Sequence, residues 1–241
     1  MTTQFQSTRS RRAGSWLRRF VRIVVIVIVC LIAVPVIVIP VYRFIDPPAS
    51  MLMIGRYLSG KDVRHQWVDL ADISPHLVRS VLVSEDGRYC SHSGVDWSAV
   101  ETVMREIDSG RSARGASTIT MQTMKNLFLW PGRSYLRKGL EVPLAYYGDL
   151  VLGKRRVFEI YLNIAEWGDG IFGAQAASVH YFGQTADKLS AVRAARLATA
   201  LPNPRNRNPA RPAAGHFKLA KVVQKRARLA GAYDDCLFAK R

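Results

Sequence analysis

From Ile23 to Tyr42 the chain runs for twenty residues without a charged side chain. At about 1.5 Å per residue, a helix of that length spans roughly 30 Å, the thickness of a bilayer core. Pro35 and Pro40 are tolerable in a membrane helix. A cleaved signal peptide would have an apolar stretch of about 7–15 residues ending in an A-x-A-like site. This run is longer and has no such site, so it predicts an uncleaved transmembrane anchor.

Beyond the run the apolar positions recur with helical spacing. Ser74-Pro75 reads as an N-cap followed by proline at the first helical position, flanked by Ile73 and Val78 as a hydrophobic staple. Asp96 caps a second helix with Val100, Val103, Met104 and Ile107 on one face and Gly110 as its stop. Residues 108–117 are rich in Gly and Ser and read as a mobile loop. Ser117 or Thr118 starts a helix that ends before Trp130-Pro131-Gly132. Further helical patterns cover 134–152, 154–164, 173–182, 190–200 and 214–230, with Pro143 expected to kink or interrupt the first of them. Strand-like alternation is scarce and no internal repeat is visible. The pattern predicts an all-α fold preceded by one transmembrane helix. Its parts are a basic segment at 1–22, the anchor at 23–42, a linker and membrane-proximal segment at 43–70 that includes the stiff Asp46-Pro47-Pro48, and a helical domain at 71–241.

Charge adds a topology. The chain has 35 basic and 18 acidic residues, a formal net charge of +17. Six arginines (9, 11, 12, 18, 19 and 22) and no acid precede the apolar run, which keeps the N-terminus in the cytoplasm and places the domain beyond the inner membrane. The domain is itself basic. Outside the cytoplasm that points to lipid head groups or a phosphorylated substrate and away from nucleic acid. Cys30, Cys90 and Cys236 show no zinc-type spacing, the histidines form no i,i+4 pair, and HExxH is absent, so no metal site is predicted. A Cys90–Cys236 disulfide would need an oxidising compartment, and the reading favours three free thiols.

Three blocks carry candidate chemistry. In EDGRYCSHSGVD, Glu85 and Asp86 sit just after a largely buried helix, where apolar walls would raise a carboxyl pKa and suit it to proton transfer, although a solvated turn of charged residues would read the same. His92 in the same block suits a structural hydrogen bond as well as chemistry. In RGASTITMQTMKNLFL, the polar stripe of Ser117, Thr118, Thr120, Gln122 and Asn126, with Lys125 opposite much of the apolar stripe, suits sugars and phosphates, although capping and a solvated face would leave the same pattern. In RSYLRKGLE, Arg133, Arg137 and Glu141 stack at i, i+4 and i+8, with Lys138 one i,i+3 step from Glu141. With Lys125 they can make a basic pocket with a carboxylate at its edge, fitted to a diphosphate, although an ordinary ion-paired surface helix would leave the same pattern. The GxGxxG of Gly168–Gly173 lacks the βαβ context of a dinucleotide site and reads as a tight turn with close packing. In the last helix, Lys218, Lys221, Lys225, Arg226 and Arg228 oppose Phe217, Val222 and Leu229, a basic face that suits anionic lipid or solvent.

Taken in order, these blocks resemble the peptidoglycan glycosyltransferases of the lysozyme-like superfamily, the module shared with class A penicillin-binding proteins. The resemblance runs from about residue 70 to 210. It continues through Tyr161-Leu-Asn163 to Gly173, Ala176-Ala177 and Tyr181-Phe182-Gly183, and ends on Leu201-Pro-Asn-Pro204. Tyr89 stands where the family usually has Phe, and Met121 where a Gln pair is common, which removes one expected substrate hydrogen bond. No S-x-x-K is present, so transpeptidation and penicillin binding are not expected.

The resemblance implies a lysozyme-like helical domain in the inner membrane that polymerises lipid II, a disaccharide-pentapeptide on undecaprenyl diphosphate, into β-1,4 glycan strands. Its partners would be lipid II, the nascent strand, inner-membrane lipids and other cell-wall synthesis proteins. Glu85 and Glu141 are the implied catalytic carboxylates, Glu85 as general base and Glu141 orienting the cations or holding a metal. Asp86, His92, Ser117, Thr118, Gln122, Lys125, Asn126, Arg133, Arg137 and Lys138 are the implied substrate contacts. The resemblance leaves room for a divalent cation, magnesium or manganese, at the diphosphate. A glycan hydrolase of the same broad fold would need an activated water but no phosphate site. A non-catalytic lipid-binding scaffold would leave Glu85 without a role.

Overall fold

The computed structural model describes residues 7–111, 115–132 and 134–238. The chain divides into two compact units, Met1–Val41 and Tyr42–Arg241. The first holds helix α1 (Ser7–Val41), whose stretch Trp16–Val41 is long and apolar enough to cross a bilayer. Pro35 and Pro40 lie within it.

The second unit starts earlier than the helical signals at residue 74 suggest. Arg156 donates from Nε to Tyr42 O at 2.8 Å and from Nη2 to Asp46 Oδ1 at 2.8 Å, so the segment taken for a linker is tied to the folded unit. Helix α2 (Met51–Leu58) follows, capped by the Ser50 side chain. Next come β1 (Arg64–His65) and α3 (Pro75–Glu85), with Ser74 Oγ accepting from His76 N as the cap. Asp96 caps α4 (Trp97–Asp108) through Ala99 N, and Thr118 caps α5 (Ile119–Phe128) through Met121 N. Of the loop expected at 108–117, residues 112–114 lie outside the described residues.

Helix α6 (Tyr135–Ile164) is continuous through Pro143 and breaks at Gly153, where φ is 74° and ψ 161°. The break falls where the expected segments 134–152 and 154–164 meet, while the interruption expected at Pro143 is absent. Proline costs a helix one hydrogen bond and a local clash, whereas a left-handed φ ends helical geometry outright. After β2 (Glu166–Gly168) and β3 (Ile171–Phe172) come α7 (Ala174–Phe182), α8 (Ala191–Ala198) and α9 (Ala214–Arg228).

The core lies where α3 packs on α8 and α9, and where α5 packs on α6. Leu77, Val78, Val81 and Leu82 of α3 are fully buried. Each such side chain stabilises the fold by about 1.5–3 kcal/mol. On α9 the buried positions are His216, Ala220, Val223 and Ala227, not the Phe217, Val222 and Leu229 stripe. A small sheet, missed by the sequence reading, has β3 in the middle, parallel to β1 and antiparallel to β2. Its strands of two or three residues are too short to show alternation. The β2–β3 turn accounts for the GxGxxG, and a Cβ on Gly173 would come within 2.8 Å of Asn163 O.

Cys90 and Cys236 form a disulfide, against the free thiols expected. The pairing joins positions 146 apart in sequence, which only the tertiary fold brings together. The C-terminal segment is also held by Arg79 on Asp234 at 2.6 Å and by Arg155 on Leu237 O at 3.1 Å.

Candidate active site

Glu85 is the last residue of α3, where the helix dipole presents its negative end. It is half-buried. Burial pushes its carboxyl above the ordinary value, and the neighbouring Asp86 charge pushes the same way. Gln122 and Ser84 oppose this with hydrogen bonds of 3.4 Å each, and the Arg207 charge also lowers it. Gln122 in turn accepts from Tyr161 Oη at 3.3 Å. A carboxylate with a raised pKa and weak partners is suited to taking a proton.

Asp86 and His92 lie behind this group. His92 Nε2 is 3.1 Å from both Asp86 oxygens, and Asp86 Oδ2 also accepts from Ile119 N at 3.0 Å. Both side chains are almost wholly buried. They join the Glu85 turn to the start of α5 and offer no open surface, contrary to their expected place as substrate contacts. Thr118 differs in the same way: its hydroxyl donates to Gly94 O and accepts from Met121 N. Gly94 also lies close against α6: its φ is 80° and a Cβ there would lie 2.6 Å from Ala145 O. Met121 packs in the core with Val95 and Ala145, so its position faces away from the polar stripe.

The second cluster is built mainly on α6. Glu141 is 3% exposed. Arg137 Nη1 donates to its Oε1 at 2.6 Å and Lys138 Nζ to its Oε2 at 2.9 Å. Lys138 Nζ also donates to Ser117 Oγ at 2.8 Å. Burial lowers the Lys125 ammonium pKa; Glu141 raises it, and Arg137 and Lys138 lower it further. The carboxylate therefore lies inside the cationic cluster and not at its edge. Arg133 lies outside the described residues.

A cavity of about 240 Å³ opens here, lined by Lys125, Asn126, Leu129, Trp130 and Arg137 among others. Asn126 Oδ1 and Arg137 Nε are buried with no hydrogen-bond partner among the described residues. Such groups cost free energy unless a ligand satisfies them. Gln122 and Lys125 are one i,i+3 step apart on α5, about 5–6 Å between Cβ atoms. Glu85, through Gln122, and the cationic cavity therefore address one face of one helix. The residues do not fit a resident divalent cation. Among the described residues Glu141 is the only carboxylate ion-paired to these cations, and both its oxygens are already engaged.

Two participants escaped the sequence reading. Tyr161 was noted only as a block residue, and its hydroxyl orients Gln122. Arg207 lies three residues past Pro204, where the last block was taken to end, and its charge acts on Glu85.

The chain matches the Transglycosylase family over residues 52–228. It is 51% identical over 212 residues to the biosynthetic peptidoglycan transglycosylase of Brucella suis biovar 1 (strain 1330), covering 88% of this chain and 95% of that protein. The proteins of the same name from Agrobacterium fabrum and Rhodopseudomonas palustris (strain HaA2) are each 48% identical. They cover 92% and 89% of this chain and 98% and 95% of their own lengths. The lysozyme-like helical fold fits this assignment, and the chain belongs to the transglycosylase family.

Proposed function

We propose that this chain is a peptidoglycan glycosyltransferase that joins lipid II units into β-1,4 glycan strands. The acceptor sugar 4-hydroxyl attacks the donor anomeric carbon as Glu85 takes its proton. The bond from that carbon to the diphosphate oxygen breaks, and the leaving lipid diphosphate keeps the electron pair. The anomeric centre inverts through an oxocarbenium-like transition state. Lys125, Arg137 and Lys138 balance the charge that develops on the leaving group. Asn126 and the open Arg137 Nε supply further donor and acceptor positions in the same cavity. Asp86, His92 and Thr118 act as positioning residues that fix the Glu85 turn against α5. Glu141 holds the cations in place.

The observation that carries this reading is the pairing of a proton acceptor of raised pKa with a buried cationic cavity along α5. A glycan hydrolase has no use for that cavity. In the same reading α1 crosses the inner membrane with the arginine-rich N-terminus in the cytoplasm, and the basic outer domain rests near anionic lipid. The test is incubation of the detergent-solubilised chain with labelled lipid II, followed by sizing of the products. Polymeric strands with released undecaprenyl diphosphate are expected. Release of free disaccharide-peptide instead would replace transfer with hydrolysis.

A further inference from the structure

A second, larger cavity of about 710 Å³ lies between α2, the β2–β3 turn, the end of α7 and the loop after α8. It shares no lining residue with the Lys125 cavity. Five cationic side chains line it: Arg56, Lys61, Arg64, Arg205 and Arg207. Arg56 is committed, donating to Asp169 at 2.7 Å and to Asp62 O at 3.2 Å. Arg205 is 3.5 Å from Glu166. Arg64 and Lys61 are not so held. Among the described residues the Arg64 side chain hydrogen-bonds only with His180 Nδ1, at 3.4 Å, and the Lys61 ammonium has no hydrogen-bond partner, its charge acting on Asp169. Both are exposed.

Arg207 lines this cavity and donates to Thr199 O at 2.6 Å at the end of α8, which packs on α3, the helix that ends at Glu85; its charge also lowers the Glu85 carboxyl. Glu85 is thus tied to the Lys125 cavity through Gln122 of α5 and to the broader mixed cavity through Arg207. The two suit different anions. Around Lys125 the cations crowd one carboxylate within about a helical turn, a match for a compact diphosphate. Beyond Arg207 the cations alternate with Asp62, Asp169, Asn206 and Asn208. The volume is in the range of about 300–1,000 Å³ that takes drug-sized ligands. Guanidinium, ammonium and amide groups spread over such a space suit a short peptide with several amides and carboxylates.

We propose that this cavity binds the peptide stem of the substrate through its carboxylates, with Lys61 and Arg64 as specificity-determining residues. The inference rests on the glycosyltransferase reading. When the diphosphate of the donor occupies the Lys125 cavity, the sugar–peptide part approaching Glu85 from the Arg207 side brings its stem into the second cavity.

The test measures kcat/KM of the full chain with lipid II and with an otherwise identical lipid-linked disaccharide lacking the peptide. The proteins are wild type and the Lys61→Ala/Arg64→Ala double variant, with Lys125→Ala as a control. Wild type should prefer the peptide-bearing substrate by about tenfold or more, the scale of one or two charge-assisted hydrogen bonds. The double variant should lose that preference, with its rate on the peptide-free substrate kept. Lys125→Ala should slow both substrates alike. Equal rates on both substrates in wild type, or a preference that survives in the double variant, would overturn the proposal. Loss of both activities in the double variant with an unchanged melting temperature would also overturn it, placing a diphosphate and not a peptide in the cavity. Absence of polymer from wild type with either substrate would overturn the glycosyltransferase reading itself, so the two failures are distinct.

Discussion

Replacing Glu141 by Gln keeps the shape of the side chain and removes its charge. In the wild type that charge holds two cations of unequal burial. The Arg137 side chain is 11% exposed and that of Glu141 4%, whereas Lys138 is 46% exposed. The half-exposed lysine pair contributes under about 1 kcal/mol after solvent screening. Breaking the buried arginine pair costs about 3–5 kcal/mol, because the guanidinium is left without its counter-ion. For a unit of this size, that loss lowers the melting temperature by roughly 6–20 °C. Lys125 should respond as well. Its pKa is already lowered by burial, and Glu141 is the group that raises it, so removing the carboxylate lowers it further. The assays are thermal unfolding of the solubilised chain and the pH dependence of glycan synthesis. The basic limb of the pH profile should move to lower pH in Glu141→Gln. A variant that melts within about 2 °C of wild type and keeps the same basic limb would refute the claim that Glu141 holds this cluster.

Three further expectations follow from single contacts. The Glu85 carboxyl is raised by burial, so its contribution to stability is full below the ordinary glutamate value and is lost as pH rises through the folded value. Glu85→Gln should therefore melt higher than wild type at neutral pH, with the gap closing on acidification; a gap independent of pH would contradict this. Reducing the Cys90–Cys236 disulfide, or replacing both cysteines by serine, should cost about 2–5 kcal/mol, read as a reductant-dependent fall in melting temperature that the double serine variant no longer shows. Tyr89→Phe removes the hydrogen bond from Tyr89 Oη to Lys154 O and should cost about 1 kcal/mol in unfolding experiments, with the rate of polymerisation unchanged.

Local signals in the sequence carried the helices that build the site. Ser74, Asp96 and Thr118 cap their helices as their positions predict, because capping depends on residues within one turn. The Arg137–Glu141 and Lys138–Glu141 pairs are legible for the same reason, being set by helical spacing. What escaped depends on distant contacts. The disulfide needs the C-terminal turn to reach the loop after α3. The depth of Glu141 and the burial of Asp86 and His92 depend on the packing of α5 against α6 and on the Gly94 turn. Arg207 needs the chain after α8 to fold back toward Glu85. The polar stripe of α5 allows either a surface for sugars and phosphates or capping with a solvated face. In the fold Thr118 caps the helix, while Gln122 and Lys125 serve two different clusters.

The central claim is that Glu85 takes the proton in glycosyl transfer. The most direct measurement is the single-turnover rate of glycan synthesis from labelled lipid II by wild type and Glu85→Gln, with lipid II binding measured on the same preparations. Loss of a general base slows such a step by about 10²–10⁴-fold. The account predicts a fall of that size with binding retained. A Glu85→Gln variant that binds lipid II and polymerises it at the wild-type rate would contradict it.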